Sequence, residues 1–174
     1  MVMIHSSEFQ GLSVADRYFS LARGYLEGSR VLCEAIDKDD YAPQYSHTRV
    51  VLHLCRHAVE LFLKGAIAYA TNAQPLQTHH LGNLITEYER VLPDPMFLIE
   101  IPFGVDASGT PDFFDDRADQ LHKTLDQRYR YPTDRSGNVF SEPEGFIAPM
   151  FMSDLEGLSK AFLQVELRLK KEAS

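Results

Sequence analysis

The stretch that decides the fold is Ser46–Thr71, SHTRVVLHLCRHAVELFLKGAIAYAT. It has no proline and a single glycine, Gly65, so a helix of about seven turns can run through it. Apolar residues cover most of the helix circumference, as is typical of a helix packed on several sides. The ionisable residues recur every three or four positions and share one stripe, which consists of Arg49, His53, Arg56, His57, Glu60 and Lys64. Because unpaired charges are costly to bury, this stripe predicts either internal ion pairs or the wall of a binding site.

Amphipathic patterns on both sides of this stretch predict further helices. A capping-box sequence, Ser13-Val-Ala-Asp16, opens the first, and Thr78 is predicted to cap the third. With the central stretch, the predicted helices are residues 13–38, 46–71, 79–91, 112–127 and 149–171. Two proline- and glycine-containing segments, 96–111 and 128–148, read as long loops, with a brief strand near 139–146. The fold class is therefore all-α, an antiparallel bundle of about five helices with two long loops, in a single domain over 1–174 with its core at about 13–171.

Composition restricts the classes of function. The chain has 174 residues, 44% of them hydrophobic, enough for one domain with a real core. A net charge of −8 argues against a protein that coats nucleic acid nonspecifically, although it allows a small local site for a nucleotide or RNA. Cys33 and Cys55 lie in helical patterns and read as small core residues. Neither a signal peptide nor an apolar run of about 18 residues is found, so we expect a cytoplasmic protein with no membrane contact.

Three segments in order resemble the HEPN family. They are Arg56–Ala66 (RHAVELFLKGA), Thr78–Leu84 (THHLGNL) and Arg128–Asp134 (RYRYPTD). The resemblance implies a bundle of four or five helices that is commonly a homodimer. It also implies RNA cleavage, or nucleotide binding beside a nucleotidyltransferase or antitoxin partner, in toxin–antitoxin and defence systems.

Cleaving members of that family carry an R-x4–6-H motif and need no metal. The match in this chain is Arg117-Ala-Asp-Gln-Leu-His122, in which apolar Ala118 follows the arginine where a polar residue is usual. In this interpretation His122 acts as base or acid on the RNA 2′-hydroxyl, and Arg117 stabilises the charged phosphate.

The one basic, aromatic-rich segment of the chain contains Arg128, Tyr129 and Arg130. Guanidinium groups match phosphate geometry and tyrosine rings stack on bases, so these three residues are candidates for nucleotide binding. The alternative is that the arginines pair with carboxylates and anchor the loop.

The stripe itself allows several interpretations. Arg56 and Lys64 either face a phosphate or form ion pairs with Glu60 that reach the helix start at Thr78, His79 and His80. These two histidines either pack at that helix start or take part in acid–base chemistry.

A metal site is a further alternative for the stripe. His53 and His57, one helical turn apart, with Glu60 beyond them, are also spaced to ligate a metal from one helix face. We predict no metal and no cofactor.

These interpretations lead to one main functional hypothesis and two alternatives. The main hypothesis is a HEPN-like domain that binds a nucleotide or RNA and acts as a metal-independent RNase toxin or as a nucleotidyltransferase-associated component. The alternatives are a non-catalytic dimeric interaction module and a metal-binding helical bundle.

Overall fold

The structure, a computed structural model, describes residues 6–38, 45–102, 127, 129–133, 136–138 and 146–172. Four long helices account for most of them: α1 (Val14–Asp37), α2 (Tyr45–Thr71), α3 (Leu81–Val91) and α4 (Ala148–Glu172). Short 3-10 turns occupy Ser6–Phe9 and Pro95–Phe97. The prediction of an all-α fold is confirmed for this part of the chain.

Local sequence signals position the ends of α1 and α2. Ser13 caps α1, because its Oγ accepts a hydrogen bond from the Asp16 backbone N–H at 3.1 Å and donates one to the Asp16 carboxylate at 2.6 Å. At the end of α2, Asn72 adopts a left-handed conformation with φ of 50°, and the N–H of Ala73 donates to the carbonyl of Ala68. This is the hydrogen bond of a Schellman motif, which ends a helix at an Asn or Gly.

The helix α2 is the centre of the fold, since α1, α3 and α4 all contact it. Phe62 of α2 stacks on Phe162 of α4, with ring centroids 3.9 Å apart, and lies 5.3 Å from Phe19 of α1. Gly65 allows α1 to approach closely, because a Cβ there would lie 3.0 Å from both Phe19 and the Cβ of Tyr18. The packing of α2 against three other helices explains why the stretch 46–71 is apolar around most of its circumference.

Contacts along α1 give its direction relative to its neighbours. Ser29 donates to the carbonyl of Val51 near the start of α2, whereas Phe19 meets Phe62 farther along it. Arg23 pairs with Glu166 near the end of α4, whereas the thiol of Cys33 lies 3.6 Å from the carbonyl of Ala148 at its start. The helix α1 therefore runs opposite to both α2 and α4.

The helix α3 begins later than the sequence predicted. Its N-cap is His80, whose Nδ1 accepts from the Asn83 N–H at 3.3 Å, so the predicted cap at Thr78 is wrong. The Thr78 hydroxyl instead accepts from the His80 N–H at 3.1 Å. His79 lies outside the helix because two long-range bonds to α2, described below, hold it there.

Several predicted features lie outside the described residues. They are the helix at 112–127 apart from Gln127, the strand near 139–146 apart from Phe146, and the side chains of Arg117, His122 and Arg128. Within the part that is described, no helix combines the length and the apolar character needed to cross a membrane.

Candidate functional site

The second half of the α2 stripe is a buried cluster of charges. Arg56 and Glu60 are each 2% exposed, and Lys64 is 6% exposed. Glu60 Oε2 accepts from Arg56 Nη1 at 3.2 Å, and Glu60 Oε1 accepts from Lys64 Nζ at 2.9 Å. One carboxylate thus stands between two buried cations on the same helix, at the favourable i, i+4 spacing.

Glu60 carries its negative charge despite this burial. Burial alone raises the pKa of Glu60, but His57, Lys64 and His79 more than offset that effect, so the pKa lies well below its ordinary value of 4.5. An ionised carboxylate is a hydrogen-bond acceptor only. Every group that is hydrogen-bonded to Glu60 must therefore be the donor.

His79 joins this cluster from the segment between α2 and α3. Its Nδ1 lies 2.7 Å from Glu60 Oε1, and Arg56 Nη2 donates to the His79 carbonyl at 2.6 Å. These bonds favour the interpretation of Arg56, Glu60 and Lys64 as internal ion pairs that fix the approach to α3. Arg56 and Lys64, both candidates for phosphate binding, lie beneath the surface with their charges directed at Glu60.

The first half of the stripe reaches the surface and meets the loop around Tyr131. Arg49 Nη2 donates to the Tyr131 carbonyl at 2.5 Å. Arg130 is exposed, its guanidinium lies 5.6 Å from the Tyr131 ring centroid, and its charge acts on His53. Two segments that the sequence singled out separately, the stripe and the arginine–tyrosine loop, therefore meet at one site.

His53 is a half-buried histidine within this site. Burial first, and then the positive charges of His57, Arg130 and Arg56, lower the pKa of His53 below its ordinary value of 6.5, although Glu60 acts in the opposite direction. Its Nδ1 is buried and has no hydrogen-bond partner among the residues that the structure describes. The lowered pKa favours the neutral imidazole at neutral pH.

His57 connects the two halves of the stripe. Its ring stacks on that of His53, with centroids 6.1 Å apart and planes 15° apart. Its Nδ1 lies 3.8 Å from Glu60 Oε2, too far for a hydrogen bond but close enough for an electrostatic interaction. The carboxylate of Glu60 thus has His57 beside one oxygen and His79 bonded to the other.

Tyr25 is a contact that sequence reasoning missed. Its ring meets that of His57 edge-on, with centroids 4.5 Å apart. The pattern of α1 marks Tyr25 only as a residue of the packed face, and no sequence signal indicates which residue of another helix it meets. This contact orients the His57 ring from the side of α1.

The remaining candidate residues that the structure describes, Tyr129 and His80, have structural roles. Tyr129 is half-buried and packs against the core, so it anchors the loop. His80 caps α3 as described. No group of three histidine, cysteine or carboxylate side chains suited to a metal occurs in the described ranges.

The class defined by this fold and site is an all-α domain with a buried ion cluster beside a surface patch of arginine, histidine and tyrosine. No family model matches the chain, and comparisons with curated proteins and with solved structures found no match. The function of this chain is therefore inferred from the site itself.

Proposed function

We propose that this protein is a HEPN-like domain that binds a nucleotide or RNA where the first half of the α2 stripe meets the loop at 129–131. The observation that carries the proposal is that this loop meets the first half of the stripe: Arg49 donates to the Tyr131 carbonyl, and the charge of Arg130 acts on His53. The chain as a whole is acidic, with a net charge of −8, so a local cluster of cations is unlike the rest of its surface.

The chemistry of the patch fits a phosphate next to a base. Arg130 is exposed, and its planar guanidinium offers paired donors to phosphate oxygens. The Tyr131 ring is 51% exposed and can stack on a base. The charge of Arg130 acts on His53 and lowers its pKa, which favours the neutral imidazole. The buried cluster farther along α2 has a net positive charge, since two cations surround one carboxylate.

The proposal also includes the more specific expectations that the resemblance to the HEPN family implies. They are a fifth helix at 112–127, an antiparallel arrangement of all five, a cytoplasmic homodimer, and a nucleotidyltransferase or antitoxin partner. RNA cleavage by Arg117 and His122, with Arg128 on the phosphate, is likewise part of it.

Replacing Arg130 with alanine tests the site. We expect binding of a fluorescent single-stranded RNA oligomer to weaken about 10–100-fold, because a charge-assisted hydrogen bond is worth about 1.5–3 kcal/mol. The slope of log affinity against log salt should also fall by about one. Fluorescence anisotropy at several salt concentrations measures both, and a labelled ATP analogue in the same assay distinguishes a nucleotide site from an RNA site.

Arg90→Ala is the matched control for this experiment. Arg90 is an exposed arginine on α3 whose partner is Glu87, a residue of the same helix. Equal losses in the two variants would mean that the protein attracts RNA through general surface charge. No binding of either ligand by the wild type would contradict the proposed function.

A non-catalytic interaction module is the second candidate, and one surface favours it. Leu21 and Val31 of α1 are 42% and 52% exposed. Gly24 and Gly28 lie between them along α1, are also exposed and carry no side chain. Such a face suits close helix–helix contact. Sedimentation analysis that shows a dimer, together with no RNA or nucleotide binding, would favour this function over the first.

A further inference from the structure

The segment that follows α3 is fixed at its start. The Asp94 carboxylate accepts from the Met96 N–H at 2.9 Å, and the Tyr88 hydroxyl of α3 donates to the Phe97 carbonyl at 2.6 Å. Arg168 of α4 donates to the carbonyl of Met96. Phe97 itself is 4% exposed. The chain is therefore anchored to both α3 and α4 at the point where it continues into residues 98–101.

Residues 98–101, Leu-Ile-Glu-Ile, have the features of an unpaired edge strand. Leu98 and Glu100 are exposed, whereas Ile99 and Ile101 are partly buried against the core. Alternation of this kind is typical of an extended chain. In the described part of the chain, no backbone hydrogen bond is made by Ile99, Glu100 or Ile101. Unpaired N–H and C=O groups on an extended segment are a template for pairing with another chain.

A groove lies on each side of this segment. The groove toward α3 has a volume of about 380 Å³ and is lined by the buried side chains of Tyr88 and Leu92. The cleft toward α4 has a volume of about 840 Å³, and Gly157 and Ala161 leave it open. Leu98 lines both and is 69% exposed. An added strand would therefore find space for its side chains beside residues 98–101.

The rim of these two grooves is acidic. Glu89 and Asp94 line the groove toward α3, and Glu100 and Asp154 line the cleft toward α4. Among the lining residues that the structure describes, Arg168 is the one cation, and its guanidinium is bonded to a backbone carbonyl. Charge complementarity therefore requires a positively charged occupant.

This requirement selects among the candidate occupants. The next part of the same chain, residues 103–126, contains six aspartates against one arginine and one lysine. A second copy of the chain is also a poor match, since its net charge is −8. Nucleic acid would be repelled for the same reason. The occupant that fits the acidic rim is a basic segment of another protein.

We infer that residues 98–101 and the grooves beside them bind an extended segment of a partner protein in which apolar residues alternate with lysine or arginine. The backbone of that segment pairs with 98–101, its apolar side chains enter the grooves, and its basic side chains meet the acidic rim. This inference does not depend on the proposed nucleotide or RNA site. The residues that line the two grooves do not include Arg49, His53, Arg130 or Tyr131.

A fluorescein-labelled peptide of alternating lysine and valine is the probe. A length of about eight residues is sufficient, because strands of about 5–6 residues are the most common. We expect fluorescence anisotropy to show binding at micromolar concentrations of the protein. The matched peptide of alternating glutamate and valine should bind at least about 10-fold more weakly, because its charges oppose those of the rim.

Two N-methylated forms of the lysine–valine peptide test the backbone pairing. Successive residues of an extended chain direct their N–H groups to opposite edges, so methylation at valine removes the donors of one edge and methylation at lysine those of the other. Only one edge can face residues 98–101. One form should therefore bind at least about 10-fold more weakly, and the other should bind as the parent peptide does.

Glu100→Lys tests the rim from the side of the protein. We expect the lysine–valine peptide to bind this variant at least about 10-fold more weakly, because an attractive charge becomes a repulsive one. The melting temperature should not change, since Glu100 is exposed. Glu156→Lys is the matched control with the same change in net charge, because Glu156 lines a different groove, between α1 and α4. It should bind the peptide as the wild type does.

Several outcomes would overturn the inference. They are no binding of the lysine–valine peptide by the wild type, equal binding of the glutamate–valine peptide, and equal weakening by Glu100→Lys and Glu156→Lys. Full binding of both N-methylated forms would show that no strand pairing occurs. A wild-type dimer that Glu100→Lys dissociates in sedimentation would mean that a second copy occupies the grooves, and this too would overturn it. A failure of RNA or nucleotide binding bears on the proposed function alone.

Discussion

Glu60→Gln is expected to lower the free energy of unfolding by about 3–5 kcal/mol, the cost of breaking a buried ion pair by removing one partner. The glutamine is nearly isosteric, so the packing around it is preserved. Arg56 and Lys64 would remain buried, at 2% and 6% exposure, without a counter-charge. Chemical denaturation of the two proteins measures the difference.

Glu87→Gln on α3 is the control for this change. Glu87 pairs with Arg90 at the surface, at an Oε1–Nη2 distance of 2.6 Å. Exposed pairs of this kind contribute about 0–1 kcal/mol, so the control should be close to neutral. A similar loss in both variants would contradict the burial of the Glu60 cluster.

Acid should reproduce the effect of Glu60→Gln in the wild type. The pKa of Glu60 is lower in the folded protein than its ordinary value of 4.5. The contribution of this carboxylate to stability is therefore fully present above about pH 5 and is lost as the pH falls toward the lowered folded value. Chemical denaturation between about pH 6 and pH 3 measures the free energy of unfolding at each pH. As the pH falls, this free energy should decrease more steeply for the wild type than for Glu60→Gln. Parallel curves would mean that the pKa of Glu60 is the same in the folded and the unfolded protein.

The sequence predicted the helices best where short-range signals define them. Ser13 and Asp16 are three residues apart, and their hydrogen bonds form within the first turn of α1. The observed end of α2 at Thr71 and the range of α4 follow from breakers and apolar spacing in the same way. These signals require no knowledge of the rest of the chain.

The start of α3 could not be predicted from its own residues. Thr78 is a good N-cap by composition. The bonds of His79 to Glu60 and Arg56 keep that residue out of the helix, and both partners are about 20 positions earlier in the chain. The helix therefore starts at Leu81, after a contact that only the tertiary structure contains.

The stripe of α2 shows the same limit for the candidate site. Its spacing predicted correctly that six ionisable residues share one side of the helix. The period is identical along the stripe, yet Glu60 is buried and Arg49 reaches the surface. The difference depends on where the segment before α3 covers α2. The periodicity of α2 does not predict the path of that other segment.

Phe62→Ala is expected to cost about 3–5 kcal/mol of unfolding free energy, as is usual for a large aromatic side chain removed from a core. Phe62 is 1% exposed, and its ring contacts aromatic rings of both α1 and α4. The cavity would therefore open where three helices meet. Leu163→Ala, one position after Phe162 on α4, is the control, because Leu163 is 54% exposed and should lose little.

A double-mutant cycle with Phe162→Ala then isolates the stacked pair. The two rings lie 3.9 Å apart between centroids and are nearly parallel, at 5°. We expect a coupling energy of about 0.5–1.5 kcal/mol beyond the separate losses. Additive losses would show that α2 and α4 are held together by burial alone. A positive coupling would instead show that this aromatic contact specifies how α4 packs on α2, the helix that carries the candidate site.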